Sequence, residues 1–134
     1  MLPFRVMVVE DNLDGADSLA WVLREWGYEV RVAYDAPSAL ADVDKFLPDV
    51  VLSDINMPGM NGFALAEKLA GKGVLLIAVT AYGDEANRQH SQEVGFQHHL
   101  VKPVDPEELH QLLETRRIDA GRRRNGDAYT NPTR

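Results

Sequence analysis

Five short apolar runs punctuate the chain, and stretches with helical periodicity separate them. The runs are Arg5–Val9, Glu29–Ala33, Val50–Ser53, Leu75–Val79 and His98–Val101. The first, third and fourth are rich in Val, Ile and Leu without strict alternation, the pattern of parallel strands covered on both faces. Leu13, Ala16, Ala20, Leu23 and Trp26 are spaced to line one face of a first helix, and Leu109, Leu112 and Leu113 do the same in the last. Asp105, Pro106 and Glu108 supply an N-cap, a first-turn proline and a capping-box partner, and Asp35 can cap the second helix. Gly27 and Gly95 sit where helices should end. The segment 84–94 is the weakest helix, since Ala86 and Val94 are its only apolar residues. Strand and helix repeated five times, joined by right-handed crossovers, predict a single α/β domain: a doubly wound (βα)5 fold around a five-stranded parallel sheet.

Apolar periodicity stops near Glu114, so the expected organisation is a folded domain over residues 1–114 and a basic, disordered C-terminal tail over 115–134. The chain of 134 residues is long enough for one real core. With 45% hydrophobic and 26% charged residues it has a globular composition, and its longest apolar runs are too short to cross a bilayer. No signal-peptide pattern precedes the first strand, and zero cysteines exclude disulfides and thiolate chemistry. The expectation is a cytoplasmic protein without membrane contact. The net charge is −7, and residues 115–134 hold six arginines against Asp119 and Asp127, so the body before them is still more acidic. Such a body is unsuited to direct nucleic-acid binding, which neutralises phosphates with Lys and Arg.

Polar residues collect at one end of the strands. Glu10 and Asp11 follow the first, Asp54 the third, Thr80 the fourth and Lys102 the fifth. In an open parallel sheet these ends share one edge, where ligands bind. Neighbouring carboxylates repel and raise one another's pKa values, and a hard divalent cation relieves that repulsion. Asp54 can then serve as a carboxylate nucleophile toward a phosphoryl group, with Lys102 stabilising charge on its oxygens and Thr80 donating to one of them.

The motifs "VVED" at 8–11, "LSDINMPGMNG" at 52–62, "VTA" at 79–81 and "LVKP" at 100–103 resemble the receiver (response regulator) domain of two-component signalling, over roughly residues 4–114. The resemblance implies a flavodoxin-like sheet of order 2-1-3-4-5. It implies that Asp54 accepts a phosphoryl group from a sensor histidine kinase or a histidine phosphotransfer protein. Mg²⁺, with Mn²⁺ as a substitute, would be bound by Asp11, Asp54 and the backbone carbonyl of Asn56, with Glu10 acting through water. Thr80 would swing toward the phosphoryl group and carry the following loop with it. The surface of the fourth helix, fifth strand and fifth helix would change for a downstream protein partner. The Asn56 side chain and Tyr82 would tune hydrolysis, the small Ala81 would leave the group accessible, and Lys102-Pro103 would be a cis peptide. The protein would catalyse only its own phosphorylation and dephosphorylation, and so would not be an enzyme acting on a free substrate.

His99 departs from the pattern, because receivers usually carry Phe or Tyr three residues before the lysine, as a switch coupled to the threonine. An imidazole there could make the switch pH-sensitive; the plainer and preferred reading is a half-exposed strand histidine without a role. The four histidines, at 90, 98, 99 and 110, match no zinc-ligand spacing. Trp21 and Trp26 read as packing and surface residues. A haloacid-dehalogenase-type phosphohydrolase would want Asp-x-Asp on the first strand, whereas Asp54-Ile55-Asn56 lies on the third. A phosphate-independent scaffold would have lost the acid pair, the aspartate or the lysine, and none is lost. The chain reads as a single-domain regulator or as the receiver of a longer protein such as a hybrid kinase.

Overall fold

A computed structural model describes residues 3–81, 83 and 85–124. The elements are β1 (Arg5–Val9), α1 (Leu13–Glu25), β2 (Glu29–Ala33), α2 (Ala36–Phe46), β3 (Val50–Asp54), α3 (Gly62–Leu69), β4 (Leu75–Thr80), α4 (Glu85–Val94), β5 (His98–Val101) and α5 (Pro106–Arg124). The five strands form one parallel sheet in the order β2-β1-β3-β4-β5, the flavodoxin-like arrangement. The chain divides into two compact units, Met1–Pro103 and Val104–Arg134.

Within the first unit, β1, β3 and β4 are buried along nearly their whole length, as their unalternating Val-, Ile- and Leu-rich sequences require. Met7, Val9, Val51, Leu76 and Ala78 point to one face and share a core with Ala39, Val43 and Phe46 of α2 and Leu65, Ala66 and Leu69 of α3. Val6, Val8, Val50, Leu52 and Ile77 point the other way. There α1, which contacts β1 and β2, buries Ala16, Ala20 and Leu23. Leu13, expected on that buried stripe, is the first helical residue and is 58% exposed. Trp21 is also exposed, while Trp26 caps α1 and meets the Tyr28 ring edge-on at 6.5 Å.

Helix starts follow the expected chemistry. Asn12, Asp35 and Asn61 accept the N–H groups of Gly15, Ser38 and Ala64 at 2.8, 2.7 and 3.0 Å. Gly27 and Gly95 take the left-handed backbone that ends α1 and α4, with φ of 95° and 115°. In the second unit, Asp105 accepts the Glu107 N–H at 2.9 Å and leads into α5, which buries Leu109 and Leu113 and half-buries Leu112. This helix runs on to Arg124, so residues 115–124 are helical where a disordered tail was expected. Good helix formers and the bidentate Arg117–Glu114 pair, at 2.7 and 2.9 Å, extend it without an apolar stripe. The rest of the expected tail, 125–134, lies outside the described residues. Among the described residues no helix is long and apolar enough to cross a membrane.

One glycine decides the geometry of the loop after β3. The chain turns away through Met57-Pro58-Gly59 and returns so that the Gly62 N–H donates to the Ile55 carbonyl at 2.9 Å. A Cβ at Gly62 would collide with the Asp54 carbonyl oxygen and stand 2.8 Å from the Ile55 Cα. Both obstacles are backbone, so neither yields cheaply. Gly62→Ala is therefore expected to lower stability by about 1–3 kcal/mol or more in urea denaturation, against about 1 kcal/mol for removal of the α3 cap in Asn61→Ala. A Gly62→Ala protein as stable as the parent would contradict this packing.

Candidate functional site

Four strands deliver the site. The ladder between β1 and β2 extends one residue past β1, where the Glu10 N–H donates to the Ala33 carbonyl at 3.1 Å and fixes the backbone under the acid pair. Asp54 is the last residue of β3, paired with Val79, and Thr80 is the last residue of β4, paired with Val101. Both strands thus run one residue beyond the apolar runs and include their polar residue. Past β5, the Lys102 N–H donates to the Thr80 carbonyl at 2.8 Å. Ladder bonds therefore set the positions of these four side chains, and loop conformation contributes little.

The side chains of Glu10, Asp54 and Lys102 converge. Lys102 Nζ donates to Glu10 Oε2 at 3.1 Å and to Asp54 Oδ2 at 3.2 Å. Glu10 and Asp54 are buried, and Asp11 is exposed beside them. Each of these three offers a carboxylate oxygen, and those oxygens all lie within 4.8 Å of one another. The Asn56 N–H donates to Asp54 Oδ1 at 3.1 Å and the Asn12 N–H to Glu10 Oε1 at 3.3 Å. The Ser53 hydroxyl donates to the Asp54 carbonyl at 2.9 Å, a contact that composition and spacing gave no reason to expect. Thr80 is fully buried, Asn56 and Ala81 are exposed, and the Lys102–Pro103 peptide is cis. Tyr82 lies outside the described residues.

The electrostatics follow from this crowding. Burial first, then hydrogen bonding to and repulsion by Asp54, push the Glu10 carboxyl above its ordinary value, with Lys102 opposing. Burial pulls the Lys102 ammonium down, but its bonds and charge interactions with Glu10 and Asp54 outweigh that and raise it overall. Three hard oxygen donors in this space could hold a divalent cation. Among the described residues they are the one such group, and no histidine belongs to it. His99 is half-buried on β5, and its Nδ1 lies 3.1 Å from the Ser91 hydroxyl, a partner the polar pattern of α4 did not disclose.

The family model for the response regulator receiver domain matches residues 6–114. The chain belongs to that family. The receiver is 39% identical over 113 residues to a 14.6 kDa protein of the sodA1 3′ region of Leptolyngbya boryana, covering 81% of this chain and 86% of that one. It is 39% identical to the sensory transduction protein RegX3 of Mycobacterium bovis and 36% identical to the DNA-binding response regulator MtrA of Mycobacterium leprae. Those alignments cover 91% and 92% of this receiver but only 52% and 53% of the mycobacterial proteins, so the chain spans about half their length. Among solved structures, the Vibrio cholerae chemotaxis protein CheY4 superposes with a TM-score of 0.80 at 31% identity, covering 85% of this chain and 98% of its own. A receiver domain protein from Methanospirillum hungatei gives 0.78 at 30%, covering 88% and 99%.

The pKa shifts set a pH dependence. Glu10 keeps its proton in the folded receiver above the 4.5 that applies to an unfolded chain. The folded state then binds more protons across that window, so stability falls as pH rises from 4.5 through the raised folded value. Urea midpoints across mildly acidic pH are expected to show this fall, and Glu10→Gln to remove it. Lys102→Met, which withdraws the opposing cation, is expected to move the Glu10 titration further up in carboxyl ¹³C NMR. A Glu10 titration that stays put or moves down would contradict the shared-cation arrangement.

Proposed function

We propose that this receiver is a phosphorylation-activated switch in which Asp54 takes a phosphoryl group from a phosphohistidine on a sensor histidine kinase or a histidine phosphotransfer protein. The observation that carries the reading is the ammonium of Lys102, held between Glu10 and Asp54 at the carboxyl edge of the sheet. An Asp54 oxygen forms a bond to phosphorus while the bond to the donor's imidazole nitrogen breaks. That nitrogen keeps the electron pair and takes a proton from solvent. In dephosphorylation, water attacks phosphorus and gives up a proton to solvent, the bond from phosphorus to the Asp54 oxygen breaks, and the Asp54 carboxylate and inorganic phosphate result. Lys102 can turn from the carboxylates to the phosphoryl oxygens, and Thr80 can donate to one of them.

The donor set suits Mg²⁺, with Mn²⁺ as a substitute: Asp11, Asp54 and the Asn56 carbonyl would hold it and Glu10 would act through water. Once bound it would neutralise charge on the carboxylates and on the phosphoryl oxygens. The protein would act on itself and turn over no free substrate. The α4–β5 face is the output surface in this reading, offered to a downstream protein whose identity lies outside this chain. The mycobacterial relatives extend well beyond the matched region, and one is named as DNA-binding. In this chain the acidic body points to protein contact instead.

Incubation with Mg²⁺ and acetyl phosphate, followed by intact mass, tests the reading. One added phosphoryl group is expected, labile to hydroxylamine and absent from Asp54→Asn and from a chelated control. Lys102→Ala is expected to slow its formation by about 10²-fold or more. Acetyl phosphate consumption is followed alongside, so that an adduct hydrolysed quickly still registers. Absence of both the adduct and Asp54-dependent consumption would overturn the proposal.

A further inference from the structure

The pair Asn61-Gly62 carries chemistry that phosphoryl transfer does not use. In an Asn-Gly pair the glycine nitrogen, with no Cβ beside it to shield it, can attack the asparagine side-chain carbon. The nitrogen gives its proton to hydroxide, a new N–Cγ bond closes a five-membered imide, and the side-chain nitrogen leaves as ammonia. Water then opens the imide at either carbonyl. One opening leaves aspartate. The other leaves isoaspartate, in which the main chain runs through the side-chain carbons. A second such pair, Asn125-Gly126, lies outside the described residues.

Every group that must move for ring closure is held in place. The Gly62 N–H donates to the Ile55 carbonyl at 2.9 Å, and the Leu65 N–H donates to the Asn61 carbonyl at 3.1 Å. The Asn61 side-chain oxygen accepts the Ala64 N–H at 3.0 Å as the cap of α3. With ψ of 176° at Asn61, its Cβ and the Gly62 nitrogen are staggered about the Cα–C bond, whereas the imide needs them eclipsed. Turning that peptide would break both backbone bonds at once. Asn61 is exposed, so hydroxide and water reach its side chain, but Gly62 is buried. The two products also differ in fit. Aspartate caps a helix as well as asparagine does, and its charge suits a helix N-terminus. Isoaspartate lengthens the main chain by one carbon next to Gly62, where a single added Cβ already collides with the Asp54 carbonyl oxygen and the Ile55 Cα.

We propose that Asn61 is a modification site held inert by the fold. It deamidates only when the first turn of α3 lifts off the loop after β3, and the isoaspartyl product cannot restore the seat of Gly62 behind Asp54. The rate of the reaction then reports how often that turn opens. A chain left unfolded for long acquires a permanent lesion beside Asp54, and a folded chain is spared. Both properties hold whether or not Asp54 is the phosphoacceptor.

The full chain is incubated at mildly alkaline pH, in buffer and in urea sufficient to unfold it. Tandem mass spectrometry of its peptides follows Asn61 separately from Asn125. Deamidation at Asn61 is expected to be about tenfold slower or more in the folded chain. Leu65→Ala removes a buried anchor of the first turn of α3 and is expected to narrow that gap, with Leu65→Val in its place if the alanine variant does not fold. Equal rates in the folded and unfolded chains, or a folded rate that truncation of Leu65 does not raise, would overturn the gate. The aspartyl and isoaspartyl chains are then separated and refolded, with Asn61→Asp as the reference for the first. The aspartyl chain is expected to keep the parent's urea midpoint and the isoaspartyl chain to fall below it. An isoaspartyl chain as stable as the parent would overturn the assigned lesion.

Discussion

Glu10, Asp11 and Asp54 repel one another, and the fold nevertheless places their oxygens within 4.8 Å. Two of the three are also buried, which penalises their charge a second time. The single ammonium that bridges them comes from Lys102, 92 positions from Glu10 and 48 from Asp54. The charges are therefore positioned by three different strands, β1, β3 and β5, and the cluster exists only when those strands are in place. That dependence is the main link between stability and function here. The backbone must hold the carboxylates against their repulsion, and in the proposed function a cation would relieve it.

The sheet meets this demand through register. Asp54 and Thr80 are ladder residues, paired with Val79 and Val101, and the Lys102 N–H continues the ladder onto the Thr80 carbonyl. Gly62 closes the loop after Asp54 at backbone contact. The backbone around Asp54 is thus held on both sides, by the β3 ladder and by the Gly62 contact. In α4 Ser91 is the one fully buried residue among those described, and Val94 packs partly buried against the core.

Much of this was legible from residue pattern alone, for a physical reason. The apolar runs gave β1 and the two edge strands, β2 and β5, the bounds they have, although only the central strands β1, β3 and β4 are buried along nearly their whole length. β3 and β4 extend one residue further because Asp54 and Thr80 pair as strand residues despite their polarity. The convergence of Glu10, Asp11, Asp54 and Lys102 followed from strand ends sharing an edge. Hydrophobic periodicity says nothing about polar contacts between elements. It could not reveal Ser91, which is buried through a hydroxyl, nor the Ser53 bond to the Asp54 carbonyl. It also ended the last helix too early, since propensity and the Glu114–Arg117 pair carry α5 to Arg124 without apolar spacing. Leu13 failed in the other direction, as an apolar residue at a helix start with nothing above it to bury it.

The central claim is that Asp54, within a cluster balanced by Lys102 and a divalent cation, is the group that receives a phosphoryl moiety. The most direct measurement is ¹⁹F NMR of the protein with beryllium fluoride, which mimics a phosphoryl group on a carboxylate. Bound fluoride resonances are expected that require Mg²⁺ and vanish in Asp54→Asn. Bound resonances that persist in Asp54→Asn, or none at saturating Mg²⁺ and beryllium fluoride, would contradict the account.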